Sequence, residues 1–268
     1  MSRPTPDVGH TAAPRPLLGH PAVLGSLPPL VLVLLWHVAS LQGAGHAYAF
    51  VPLTQIAQGL AGLVASGELL TNLAATLGHM LSGLLIGGLA GLTLGGLMGI
   101  SRPVELLVGP LYHTIRQVPL LGLIPLIGLW FGNGTLSKVV IVSLAAFYPL
   151  VLNTFEGMRN VEVRHLEVAR VLGFSRWRLL TRVLLPGALP SVWTGVMHAL
   201  AFAWIATVGA ELLFVAGPGL GGLMQTAQSA ARMDVVVICV ASIGITGFAL
   251  NLVLMRVGRH LLRWRATR

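Results

Sequence analysis

Charge is scarce in this chain, and acid scarcest of all. Asp and Glu number 8 and charged residues make up 9% of the sequence, against about 25% in a soluble globular domain. With 55% hydrophobic residues, that deficit excludes a soluble domain and points to an all-α integral membrane protein. At ~20 apolar residues per crossing, 268 residues accommodate six transmembrane helices and no large soluble domain. Cysteine occurs once, as Cys239, which excludes an intrachain disulfide and a cysteine metal cluster. No Walker A sequence occurs, which excludes P-loop ATP hydrolysis by this chain. The acidic residues are scattered, and Glu105, Glu156, Glu162 and Glu167 fall beside the polar segments. Neither a carboxylate pair nor a nucleophile with its base is apparent, which argues against a membrane-embedded enzyme. No cofactor or metal site is expected.

What is present is arginine, unevenly spread. The formal net charge is +9. Six arginines lie between Arg159 and Arg182, and others cluster near the two ends. With the N-terminus placed inside, only Arg116, Lys138 and Arg232 remain outside the cytosolic segments. The positive-inside rule explains this asymmetry without nucleic acid, and it places both termini and the polar segment 159–186 in the cytosol.

Punctuation and hydropathy divide the chain. Residues 1–22, rich in Pro and small residues, read as a disordered cytosolic tail. Residues 23–70 hold a first span at 23–41, retained rather than cleaved, and an amphipathic segment starting at Pro52 that lies along the periplasmic surface. Residues 71–256 form the core, with spans expected at 71–100, 104–130, 136–155, 189–215 and 235–255; residues 257–268 are a basic cytosolic tail. The span 71–100 carries Gly83, Gly87, Gly91, Gly95 and Gly99. A period of four keeps them on one face, where another helix can approach closely. Pro110, Pro119 and Pro125 interrupt the third span.

Arg159 to Pro186 reads RNVEVRHLEVARVLGFSRWRLLTRVLLP. A helix is expected over 162–172, with Gly173 at its C-cap and Ser175 capping the next helix, over 176–185. Pro186 and Pro190 mark the bend back into the membrane. The ordered positions Glu167, Ala169, Gly173, Val183, Leu185 and Pro186 resemble the EAA loop of ABC-importer permeases, with Val168 where a second Ala is usual. The resemblance continues in ASGELLTNLAATLGHMLSGLLIGGLAGLTLGGLMGISR, in PLLGLIPLIGLWFGNGTLSKVVIVSLAAFYPLVLNTFEGMR, and in LLPGALPSVWTGVMHALAFAWIATVGAELL. These runs resemble the permease group that imports nitrate, sulfonates, taurine or related compounds. The resemblance implies a type I importer fold and a bacterial inner-membrane location. It further implies a second permease copy, cytosolic ABC ATPase subunits and a periplasmic or lipid-anchored binding protein. Glu167, Ala169, Arg170, Leu172, Gly173 and Pro186 would then couple to the ATPase, with Ala169 allowing close docking.

Ionisable groups inside spans are functional candidates. Arg116, with His113 and Gln117 on its face, is expected either to line the translocation path for an anion or to pair with Glu211. His79 and His198 lack partners at metal-ligand spacing and are expected to bond across helices. Trp130, Trp204 and Trp264 read as packing groups or interface anchors. Arg232 and Asp234 either meet the binding protein or cap the last span. An ion-coupled secondary transporter gives no reason for an EAA-like loop, whereas a permease for another cargo does.

Overall fold

The computed structural model describes residues 21–41 and 50–263, so residues 1–20 of the expected tail and Trp264 fall outside it. Every regular element among the described residues is helical. The chain divides into two compact units, Met1–Gln55 and Ile56–Arg268.

The first unit contains α1, Pro21–Ser40. Its apolar stretch, Leu30–Ser40, is shorter than the ~20 residues of a crossing, so the first span expected at 23–41 does not count among the long apolar helices of the described residues. Trp36 donates its indole N–H to the carbonyl of Val51 at 3.0 Å and meets the Phe50 ring edge-on.

The second unit is built on four long apolar helices: α3 (Glu68–Ile100), α6 (Thr135–Arg159), α8 (Arg176–Leu213) and α10 (Met233–Leu261). A bent pair, α4 (Arg102–Ile115) and α5 (Ile124–Phe131), is long and apolar enough to make a fifth only when its two arms are taken as one broken span. Shorter helices complete it: α2 (Leu53–Ala65, which straddles the unit boundary), α7 (Val163–Val171) and α9 (Leu220–Ser229).

α6 is the central element, packed on both α3 and α8, which also meet each other. The glycine face of α3 makes the first contact possible. A Cβ at Gly83 would lie 2.5 Å from Val142 Cβ, one at Gly95 2.5 Å from the Val151 carbonyl oxygen, and one at Gly99 2.7 Å from Met158 Cβ. At Gly87 it would run into the Ser143 carbonyl. Lipid supplies no hydrophobic force between helices, so such backbone proximity is what holds them. Toward α8, Gly157 meets Ser191 and Gly195 meets Asn153 in the same manner. Met80, Val142, Ala146, Leu150, Ala199 and Ala203 close the three-helix core.

Two spans of the second unit differ from expectation. The third is not one helix over 104–130: α4 stops at Ile115, a turn carries Arg116 to Pro119, and α5 leaves at 86° to α4. Pro119 has no N–H for the ladder and biases Val118 away from the helical region. A single 3-10 turn, Leu120–Leu123, then restarts the chain, and Pro125 occupies the first turn of α5, where its missing donor costs nothing. The fifth span begins at Arg176, not Leu189, and runs 38 residues to Leu213. Pro186 therefore lies within a helix rather than at a bend. Leu180–Leu184 adopts a π turn, with Leu185 N–H reaching back to the Leu180 carbonyl. Widening the ladder there lets the Pro186 ring follow without striking the carbonyl one turn before it.

Gly87→Ala should destabilise the folded bundle by about 1–3 kcal/mol, because its clash is with backbone that cannot rotate away. Gly78→Ala, on the same helix with open space around it, should be neutral or slightly stabilising. Thermal unfolding of both variants in detergent checks this contrast.

Candidate functional site

Three arrangements carry the polar chemistry of the second unit. The first is the loop between α6 and α8. α7 ends in a Schellman motif: Gly173 N–H donates to the Arg170 carbonyl and Phe174 N–H to that of Ala169, both at 3.0 Å. Gly173 takes φ 68°, which glycine alone adopts cheaply. Ser175 then caps α8, its hydroxyl accepting from Arg178 N–H at 3.4 Å. Glu167 and Arg170 stand exposed, and so do apolar side chains: Val171 is 88% exposed, Trp177 71% and Leu172 65%. Ala169 points the other way. It is 2% exposed and lies with Phe174, Val183 and Pro186 around a groove of about 450 Å³. In this chain Ala169 faces the start of α8. Glu105 accepts from Arg159 at 2.7 Å and from Arg102 at 3.1 Å, tying the α3–α4 turn to the end of α6.

The second arrangement is a cavity of about 600 Å³ at mid-length of α6 and α8, beside the broken third span. Its walls are mostly apolar, including Leu121, Leu152, Phe202 and Ile205. Arg116, Gln117, Asn153 and His198 supply the polar groups. The Arg116 guanidinium lies 5.9 Å from the centre of the Tyr112 ring, and Tyr112 in turn donates its hydroxyl to the Tyr148 carbonyl at 2.7 Å. Because α4 ends at Ile115, Arg116 occupies the turn that follows it. His113 is exposed outside the cavity, edge-on to Tyr112. His198 lines the cavity and has no hydrogen bond to another described residue. Asn153, unremarked in the sequence, is held by its own donation to the Pro149 carbonyl at 2.8 Å.

The third arrangement surrounds Glu211, which lies apart from that cavity and pairs with His79, not Arg116. Its carboxylate is 0% exposed. His79 Nδ1 is 2.8 Å from Oε1, Thr76 Oγ1 is 2.9 Å from Oε2, and Gly221 N–H donates to Oε2 at 3.0 Å. Lys138, likewise 0% exposed, donates to the Ala216 carbonyl at 2.9 Å. At the start of α10, Arg232 grips Asp234 through two bonds of 3.0 and 2.7 Å. Gly59 of α2 packs onto that carboxylate, a Cβ there falling 2.6 Å from Oδ2. Trp204 packs its indole on Gly247, and Trp130 is exposed.

Residues 83–266 match the family described as the binding-protein-dependent transport system inner membrane component. The chain belongs to that family. A permease protein of Escherichia coli named for aliphatic sulfonate transport is 38% identical, with 88% of this chain and 89% of the relative covered. A taurine transport system permease protein of the same organism is 34% identical over 90% of this chain and 88% of its own length. Among solved structures, an amino acid ABC transporter matches with a TM-score of 0.58 at 21% identity, covering 75% of this chain and 97% of that one. The protein is thus a permease subunit of an ABC importer. The family match spans the permease's glycine face, Arg116, the α6–α8 loop and Glu211, while Thr76 and His79 lie just before it.

In this permease Gly173→Val should destabilise the loop by about 1–2 kcal/mol, the cost of a left-handed backbone for a residue with a Cβ. Gly173→Asn should be tolerated, since Asn visits that region and nothing lies within 4 Å of a Cβ there. Limited proteolysis at Arg170, Arg176 and Arg178 reports the difference.

Proposed function

We propose that the permease carries a small organic anion of the aliphatic sulfonate or taurine class across the bacterial cytoplasmic membrane, through a path that includes the Arg116 cavity. Transport is inward, the cargo is delivered by a binding protein at the outer face, and energy comes from separate ATPase subunits docked on α7. A second copy of the chain completes the pathway. The α6–α8 loop and both termini face the cytosol, which is where the arginines concentrate.

The observation that carries the cargo class is Arg116. One permanent cation stands at a mid-bundle turn in a cavity whose walls are otherwise largely apolar. A guanidinium offers paired donors to an oxyanion, while walls of Leu, Phe and Ile suit a short aliphatic chain. The sulfonate and taurine names of the relatives support the same class. The cavity volume of about 600 Å³ falls in the usual range for small-molecule sites.

Coupling follows from continuity. α7 is joined to the start of α8 by the Schellman turn and the Ala169 contact, and α8 then runs, interrupted only by its π turn, to the cavity wall at Phe202 and Ile205. From Arg176 to Phe202 is about 40 Å of helix at 1.5 Å per residue. A push on α7 by a closing ATPase dimer therefore reaches the cavity through one rod, with the π turn at Leu180–Leu184 as its joint. The exposed Val171, Leu172 and Trp177 provide the docking face.

Arg116→Gln should cut uptake of a radiolabelled alkanesulfonate at least about tenfold, one lost charge-assisted pair, while the assembled transporter is recovered in normal yield. Loss of assembly instead would assign Arg116 to the scaffold. Separately, Leu172→Asp with Val171→Asp should abolish co-purification with the ATPase and leave the membrane-embedded chain folded. Equal recovery of the ATPase with the doubly substituted chain would sink the docking assignment.

A further inference from the structure

The segment from Phe214 to Gly221 leaves α8 and leads into α9. It is fastened from three helices. Lys138 in the first turn of α6 takes the Ala216 carbonyl at 2.9 Å. Asn72 of α3 accepts from Gly219 N–H at 2.8 Å, and Thr76 of α3 accepts from Leu220 N–H at 2.9 Å. Glu211, in the last turn of α8, accepts from Gly221 N–H at 3.0 Å. The backbone rests directly on the carboxylate: a Cβ at Gly219 would lie 2.5 Å from Glu211 Cδ, and one at Gly221 2.6 Å from Glu211 Cβ. Beyond the segment, Leu220 and Ala227 of α9 are buried against Val235, Ile238 and Cys239 of α10.

Resting on the transporter reading, we infer that Glu211 and Lys138 are positioning residues for transport. They clamp residues 214–221 so that α9 travels with α3, α6 and α8 as one body, forming a fixed outer rim to the path rather than a hinged plug. The charges matter as well as the bonds. Each is fully buried in an apolar bundle, where a lone ion is costly and removal of one of a compensating pair strands the other. Glu211 sits on His79 and Thr76 at one end of the segment while Lys138 holds Ala216 at the other, so the two opposite charges balance across the strip they hold. A hinged plug would need these bonds to open in each cycle, exposing two buried ions and three backbone donors every time.

Hydrogen exchange on the complete wild-type transporter in lipid nanodiscs, ATP-free and vanadate-trapped, tests the rigid rim. Amides of Gly219, Leu220 and Gly221 should exchange within about twofold of each other's rate in the two states, as bonded and buried amides do. A rise of about tenfold or more in either state overturns the inference. Unchanged exchange of α7 between the states would count against the docking reading instead, so the two failures are distinct. Uptake by Lys138→Met and by Glu211→Gln, normalised to assembled complex, should each fall at least about tenfold, with ATP hydrolysis continuing, and the double variant should recover most of the loss. A double variant no better than either single one would overturn the charge-balance argument. Should the single variants fail to assemble, exchange in the wild type still decides.

Discussion

The close crossing of α3 on α6 is the contact on which the remaining geometry depends. In lipid, an apolar side chain gains nothing by leaving tails for another helix, so proximity of backbones and bonds between helices must hold the bundle. The glycines of α3 remove the Cβ atoms that would keep the axes apart, and carbonyls of α6 at Ser143, Phe147 and Val151 fill the space. With α3 fixed on α6, α8 packs against both, and the broken third span is left to wall the mid-bundle cavity. The same crossing brings the start of α3 beside the end of α8, which is what lets His79 and Thr76 reach Glu211.

Three cations do not belong to the basic clusters, and each has a separate structural explanation. Arg232 is neutralised locally by Asp234 two residues away. Lys138 is buried and spends its proton on a loop carbonyl. Arg116 alone faces a cavity. An ion retained in an apolar bundle requires a partner or a task; Arg232 has a carboxylate and Lys138 a backbone carbonyl, while Arg116 has the Tyr112 ring and the cavity. This contrast, more than the presence of an arginine in a span, is why the proposed cargo path is drawn through Arg116.

The loop between α6 and α8 combines stiffness with exposed apolar surface. Its stiffness comes from local bonds at Gly173 and Ser175 and from burial of Ala169. Its exposed Val171, Leu172 and Trp177 are the wrong chemistry for free solvent and the right one for a protein surface. A displacement imposed there passes into α8 with little slack, since only the π turn interrupts the ladder.

The sequence by itself determined what local rules govern: a helical membrane chain, the near positions of its spans, the glycine face, the left-handed cap at Gly173 and the hydroxyl cap at Ser175. These rest on composition, on periods of a few residues and on the stereochemistry of single residues. Tertiary structure decided what depends on which faces meet. That Glu211 answers His79, 132 residues earlier, and not Arg116, follows from helix crossings that no period records. That Ala169 turns inward follows from the groove beside Val183 and Pro186. Prolines announced an interruption in the third span, but its 86° bend is visible only in the tertiary structure. Local stereochemistry is written residue by residue; pairing across a bundle is settled only when close-packed surfaces compete for the same space.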